Sequence, residues 1–127
     1  MTAARASAWI PPFVYMAAIF AFSAQPNPLP EVTARVWDKL LHLVEYAVLA
    51  VLFVRALRSE RAAWRTALLA SILFTSFYAA TDEYHQHFVP NRRSDVRDWT
   101  ADTIGAVAGA AAYALLLRRS SMRFDST

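Results

Sequence analysis

Lys39, His42 and Tyr46 stand at i, i+3 and i+7, a spacing that puts all three on one face of a helix. Asp38 and Glu45 lie along the edge of that face. Glu45 makes the stronger demand. It sits deep in an apolar run, where a carboxylate needs a partner, and Lys39 and His42 are the nearest ones in the chain. A second polar window, from Asp82 to Asp102, holds Asp82, Glu83, His85, Gln86, His87, Arg92 and Arg93. It ends in an acidic row, Asp95, Asp98 and Asp102, again at i, i+3 and i+7. Three carboxylates on one face repel one another unless cations, protons or a metal ion intervene. Lys39, Arg92, Arg93 and Arg97 are the cations at hand. The two windows contain all 3 histidines and seven of the 10 acidic residues, so the ionisable chemistry is gathered rather than spread.

Two kinds of chemistry suit such a set. In a binding site, Lys39 and Arg92 contact a phosphate or carboxylate, the guanidinium in bidentate fashion. His42, Glu83 and Gln86 then fix its orientation, and Tyr46, Asp82, Asp98 and Asp102 complete the binding set. In an acid–base enzyme, His42 or Glu45 is the general base and Arg92 stabilises charge. Glu83, with Asp82 and Asp98, is then an acid or a metal ligand. His85 and His87 alternate as in an extended loop, unlike the i, i+4 helical pair of a zinc hydrolase. Cysteine is absent, and the chain has neither a glycine-rich phosphate loop nor a serine elbow. No metal and no cofactor are expected.

The elements that must position these groups are apolar helices. The 127 residues are 57% hydrophobic and 18% charged, against roughly 45–50% and about 25% in a soluble domain. Residues 6–27 carry no charge, nor do residues 47–54, 66–81 and 103–117. Crossing the hydrocarbon core takes about 20 residues, so the last three stretches span only with their polar ends included. A soluble bundle would show charge at the 3.6-residue period, and no face of residues 66–81 or 103–117 is charged. Arg5, the apolar run and Ala21-Phe22-Ser23 also have the layout of a signal peptide, although Pro11 and Pro12 fit poorly within one. The expectation is an all-α fold, a four-helix transmembrane bundle with short connecting loops. It forms one domain over residues 1–127, with helices at about 8–24, 39–57, 64–82 and 95–118.

The net charge of +3 comes from arginines lying between and beyond the apolar runs, which argues for membrane flanks and against nucleic acid. With the amino terminus inside, eight basic residues fall on one side and five on the other. Both termini are therefore expected in the cytoplasm and both polar windows at the outer face. Gly105 and Gly109 form a GxxxG spacing suited to close packing within the chain, or to a homo-oligomer.

Several ordered elements resemble the VanZ-like family. They are Ser23-Ala24-Gln25-Pro26, then Lys39-x-x-His42-x-x-x-Tyr46-x-x-Leu49, then Asp82-Glu83-x-x-Gln86-x-Phe88-x-Pro90-x-Arg92. Ser94, Asp98 and Ile104-Gly105-Ala106 complete the set, which covers nearly the whole chain. Many relatives carry Gly where Asn91 stands, and Asn likewise tolerates a left-handed turn. Many carry Asn in place of Asp102, which points to a hydrogen-bonding role there rather than a charged one. The resemblance implies a bacterial cell-envelope membrane protein. The family's name comes from a protein conferring resistance to the glycopeptide teicoplanin. The expected partners are membrane lipids and a lipid-linked envelope precursor or glycopeptide. An enzyme acting on such a lipid is the alternative, and a small transporter or scaffold the second.

Overall fold

The computed structural model describes residues 1–26, 35–92 and 94–124, with side chains for all of these except 35–38 and 121–124. Arg93, the Asn27–Pro30 part of the proline-rich connector and the side chain of Asp38 lie outside the described residues. Four helices follow in order: α1 Ala3–Ser23, α2 Arg35–Ser59, α3 Trp64–Gln86 and α4 Val96–Phe124. Three of them contain segments long and apolar enough to cross a membrane: Ala3–Ser23, Lys39–Ser59 and Val96–Ser120. The third helix, α3, is bundled with them and carries Asp82 and Glu83 in its last turns.

Each helix runs past at least one of the ends expected from the apolar pattern. α1 begins where the Thr2 hydroxyl accepts the backbone N–H of Arg5, an N-cap bond. Pro11 and Pro12 consequently lie inside the helix rather than in its first turn, so the carbonyls of Ser7 and Ala8 lack their usual N–H partners. α3 continues to Gln86 and the next backbone N–H, of His87, still bonds to the Glu83 carbonyl. The alternating His85 and His87 are therefore not in an extended loop, because helical hydrogen bonding persists through both residues. After α3 a short turn passes through Asn91 at φ 62°, the left-handed conformation that asparagine tolerates. Asp95 then caps α4, its Oδ1 accepting the Arg97 N–H at 2.9 Å.

Helix α2 is the hub and touches the other three. One apolar cluster joins α1, α2 and α3 through Ile19, Tyr46, Leu49, Phe53 and Ala79. A second joins α2, α3 and α4 through Ala50, Val54, Ala67, Ala106 and Ala110. Small residues dominate where α4 meets α2. Gly105 packs on the Leu43 backbone and Gly109 on that of Ala47, so the glycine pair is used within the chain. Large side chains such as Leu73, Phe77, Leu116 and Val14 point outward, while His42, Asp82, Glu83, Gln86, Asp98 and Asp102 are buried. Apolar outside and ionisable inside is the arrangement a hydrocarbon surrounding selects.

Candidate functional site

Lys39, His42, Gly105 and Asp102 are linked by register. α2 and α4 run parallel, and the contact at Leu43–Gly105 sets His42 beside Asp102 and Lys39 beside Asp98. The His42 Nδ1 lies 2.9 Å from Asp102 Oδ1, with both side chains buried. A carboxylate acceptor on Nδ1 makes that nitrogen the donor and leaves the lone pair of a neutral ring on Nε2. Lys39 Nζ reaches Asp98 Oδ1 at 3.4 Å and Asp95 Oδ2 at 4.0 Å. The lysine thus bridges two members of the acidic row on α4 instead of turning along its own helix towards Glu45.

Helix α3 supplies the other half. Tyr46 Oη donates to Asp82 Oδ2 at 3.0 Å, and Tyr46 itself is fully buried. Gln86, one turn after Asp82, donates from Nε2 to Ser23 Oγ at 3.1 Å and so ties α3 to the end of α1. Glu83 is held by the start of α4. Its Oε2 accepts the Asp95 N–H at 3.1 Å and the Ser94 hydroxyl at 3.5 Å. Arg92 turns back over α1, donating from Nε to the Gln25 carbonyl at 2.8 Å and from Nη2 to the Phe22 carbonyl at 3.0 Å. Its guanidinium also lies over the Phe22 ring, 5.7 Å from the centroid.

The two sequence windows therefore meet at one end of the bundle. An open cleft of about 350 Å³, solvent included, is lined there by Phe22, Ser23, Leu41, His42, Glu45, Asp82, Gln86 and Arg92. Glu83, Asp98 and Asp102 adjoin it through His42, and Lys39 joins them at Asp98. Glu45 is half-buried at the cleft wall. The buried oxygens Asp82 Oδ1, Glu83 Oε1 and Asp102 Oδ2 have no hydrogen-bond partner among the described residues. A buried acceptor left open costs roughly 1–3 kcal/mol. Carboxylate oxygens of this kind can accept hydrogen bonds or coordinate a cation.

A family model described as VanZ/LLP1 matches residues 2–117. The chain belongs to the VanZ/LLP1 family. Comparison with curated proteins gives no match, and neither does comparison with solved structures. In this VanZ-family chain, Ser23 and the carbonyls of Phe22 and Gln25 join the site although no spacing rule on α2–α4 points to them. The signal for Ser23 and Gln25 was the Ser23-Ala24-Gln25-Pro26 element itself, and Phe22 precedes it with no signal of its own. His85 and His87 do not join it: His85 stacks on Phe20 at 4.5 Å between centroids, and His87 is exposed.

Proposed function

We propose that this VanZ-family protein receives the polar head group of a membrane-resident lipid or lipid-linked envelope precursor in the α1–α2–α3 cleft, at the outer face of the cell membrane. The single observation that carries the reading is the set of three carboxylate oxygens open among the described residues, one on Asp82 in the cleft lining and the others on Glu83 and Asp102 beside it. They call for a ligand that donates hydrogen bonds, such as a sugar hydroxyl or an amine. Arg92 at the cleft wall adds a positive group suited to a phosphate. Phe22 and Leu41 give the opening apolar lips that suit a hydrocarbon tail lying alongside. A glycopeptide bearing an acyl tail meets the same requirements, which is how this reading connects with teicoplanin.

A second reading is favoured by the His42–Asp102 pair. An imidazole fixed by a buried carboxylate is the arrangement of a general base held in one tautomer. The head group would then be transformed as well as held, with Glu83 or Glu45 completing the acid–base set.

One experiment tests both. The protein is purified in mild detergent, co-purifying lipids are identified by mass spectrometry, and the enriched lipid is added back and followed over time. Enrichment without conversion supports recognition alone. Conversion that is lost in His42→Ala and Glu83→Gln supports the enzyme. A lipid profile identical to that of an unrelated membrane protein overturns the head-group reading.

A further inference from the structure

We propose that His42, Glu83 and Asp98 form a binding site for a divalent transition-metal cation, with Asp102 as the carboxylate that orients the histidine. The three residues come from α2, α3 and α4, all are buried, and one ligand atom from each lies within 4.8 Å of the others. Metal–ligand bonds of about 2.1 Å bring donor atoms to roughly 3–4 Å of one another, so small side-chain movements close the set.

Three observations point to a cation. Glu83 is 6% exposed, and its Oε1 is buried with no hydrogen-bond partner among the described residues. Its Oε2 is meanwhile pinned by Asp95 N–H, so the carboxylate that meets His42 and Asp98 is fixed in place. His42 is also prepared as a ligand. Asp102 Oδ1 stands 2.9 Å from its Nδ1, and a carboxylate behind a histidine is the usual support of a ligating imidazole. Finally, three carboxylates gather around the histidine: Glu83 and Asp98 in the cluster itself and Asp102 on His42 Nδ1. Lys39, which meets Asp98, is 43% exposed and shared with Asp95. A dication is attracted to such a cluster.

One nitrogen and two carboxylates suit Zn²⁺ or Mn²⁺ better than a thiolate-seeking ion. Three protein ligands leave a coordination position for water or for an oxygen of a ligand. His85 and His87 stand outside this site: the His85 ring stacks on Phe20 and that of His87 packs against Phe88. The site does not depend on the head-group reading, and loading is measured with no lipid ligand added.

The test uses the full chain in detergent, stripped with chelator and then equilibrated with Zn²⁺, Mn²⁺ or Co²⁺. Bound metal is counted by mass spectrometry and the Co²⁺ form examined for visible absorption. Equimolar tight binding, a higher melting temperature with metal and a cobalt spectrum of low symmetry are expected. Glu83→Gln and Asp98→Asn should abolish tight loading, and Asp102→Asn should weaken it by about 10–100-fold. The double variant His85→Ala/His87→Ala should load normally. Failure of the wild-type chain to bind any of the three ions overturns the site. So does undiminished binding in Asp98→Asn, which also decides the matter if Glu83→Gln does not fold.

Discussion

Gly105 faces the Leu43 backbone with no room for a methyl group: a Cβ there would fall on the carbonyl oxygen and lie 3.0 Å from the Leu43 Cα. Backbone cannot swing aside as a side-chain tip does, so α4 would have to move away from α2. Gly105→Ala should therefore destabilise the bundle by about 1–3 kcal/mol, as overpacking does. Thermal unfolding in detergent checks this, and Ala106→Gly at the neighbouring buried position should cost less than Gly105→Ala. An unchanged melting temperature in Gly105→Ala would show that the helices are not seated as closely as described.

Asp102 offers a sharper contrast between two replacements. Asparagine keeps an oxygen able to accept from His42 Nδ1, whereas leucine removes it and leaves a buried imidazole N–H open. Asp102→Asn should fold with little loss. Asp102→Leu should lose roughly 1–3 kcal/mol, the usual penalty for stranding a buried polar group. Equal stability of the two variants would argue that the histidine has another acceptor.

Tyr46→Phe removes the shorter of the two hydrogen bonds that Asp82 accepts among the described residues, the other coming from Gln86 at 3.5 Å. The ring is fully buried and its packing would be unchanged. A loss of about 1–3 kcal/mol is expected from unfolding measurements, and Tyr46→Leu should cost more because it also empties space beside Leu49 and Phe53.

At the opposite end of the bundle, Arg5 pairs with Glu60 at 3.4 Å and Trp9 donates to the same carboxylate at 3.2 Å. Both charged side chains are well exposed. Arg5→Ala should change stability by less than about 1 kcal/mol, in keeping with exposed ion pairs. A large loss in the same assay would mean that this end is shielded from water.

The chain lacks cysteine, which makes its orientation simple to probe with single introductions. Asn91→Cys in the α3–α4 turn should react with a membrane-impermeant maleimide in intact cells. Ala63→Cys, in the α2–α3 turn, should react only after permeabilisation. The reverse pattern would place the candidate site on the cytoplasmic side.

The helices were legible because uncharged runs of this length have few other uses, and the site was legible because i, i+3, i+7 rows hold their face wherever the helix turns. Lys39, His42 and Tyr46 do share a face, and Asp98 and Asp102 do meet it. Pairings across helices were not legible. Proximity along the chain offers Glu45 either Lys39 or His42, yet Lys39 reaches Asp98 and His42 reaches Asp102, where the Gly105 contact draws α4 in. Nor could spacing show that Arg92 spends two donors on α1 carbonyls, since that depends on a turn at Asn91 folding back.

The partners His42 and Asp102 are separated by 60 positions along the chain. During synthesis α2 therefore enters the bilayer long before its acidic counterpart exists, and the histidine must wait with whatever water or lipid surrounds it. The last helix to be inserted is also the one that completes the cluster. Assembly of the cluster thus finishes with the bundle: a chain stopped before α4 would keep the Tyr46–Asp82 and Gln86–Ser23 bonds but lack the carboxylates that meet Lys39 and His42.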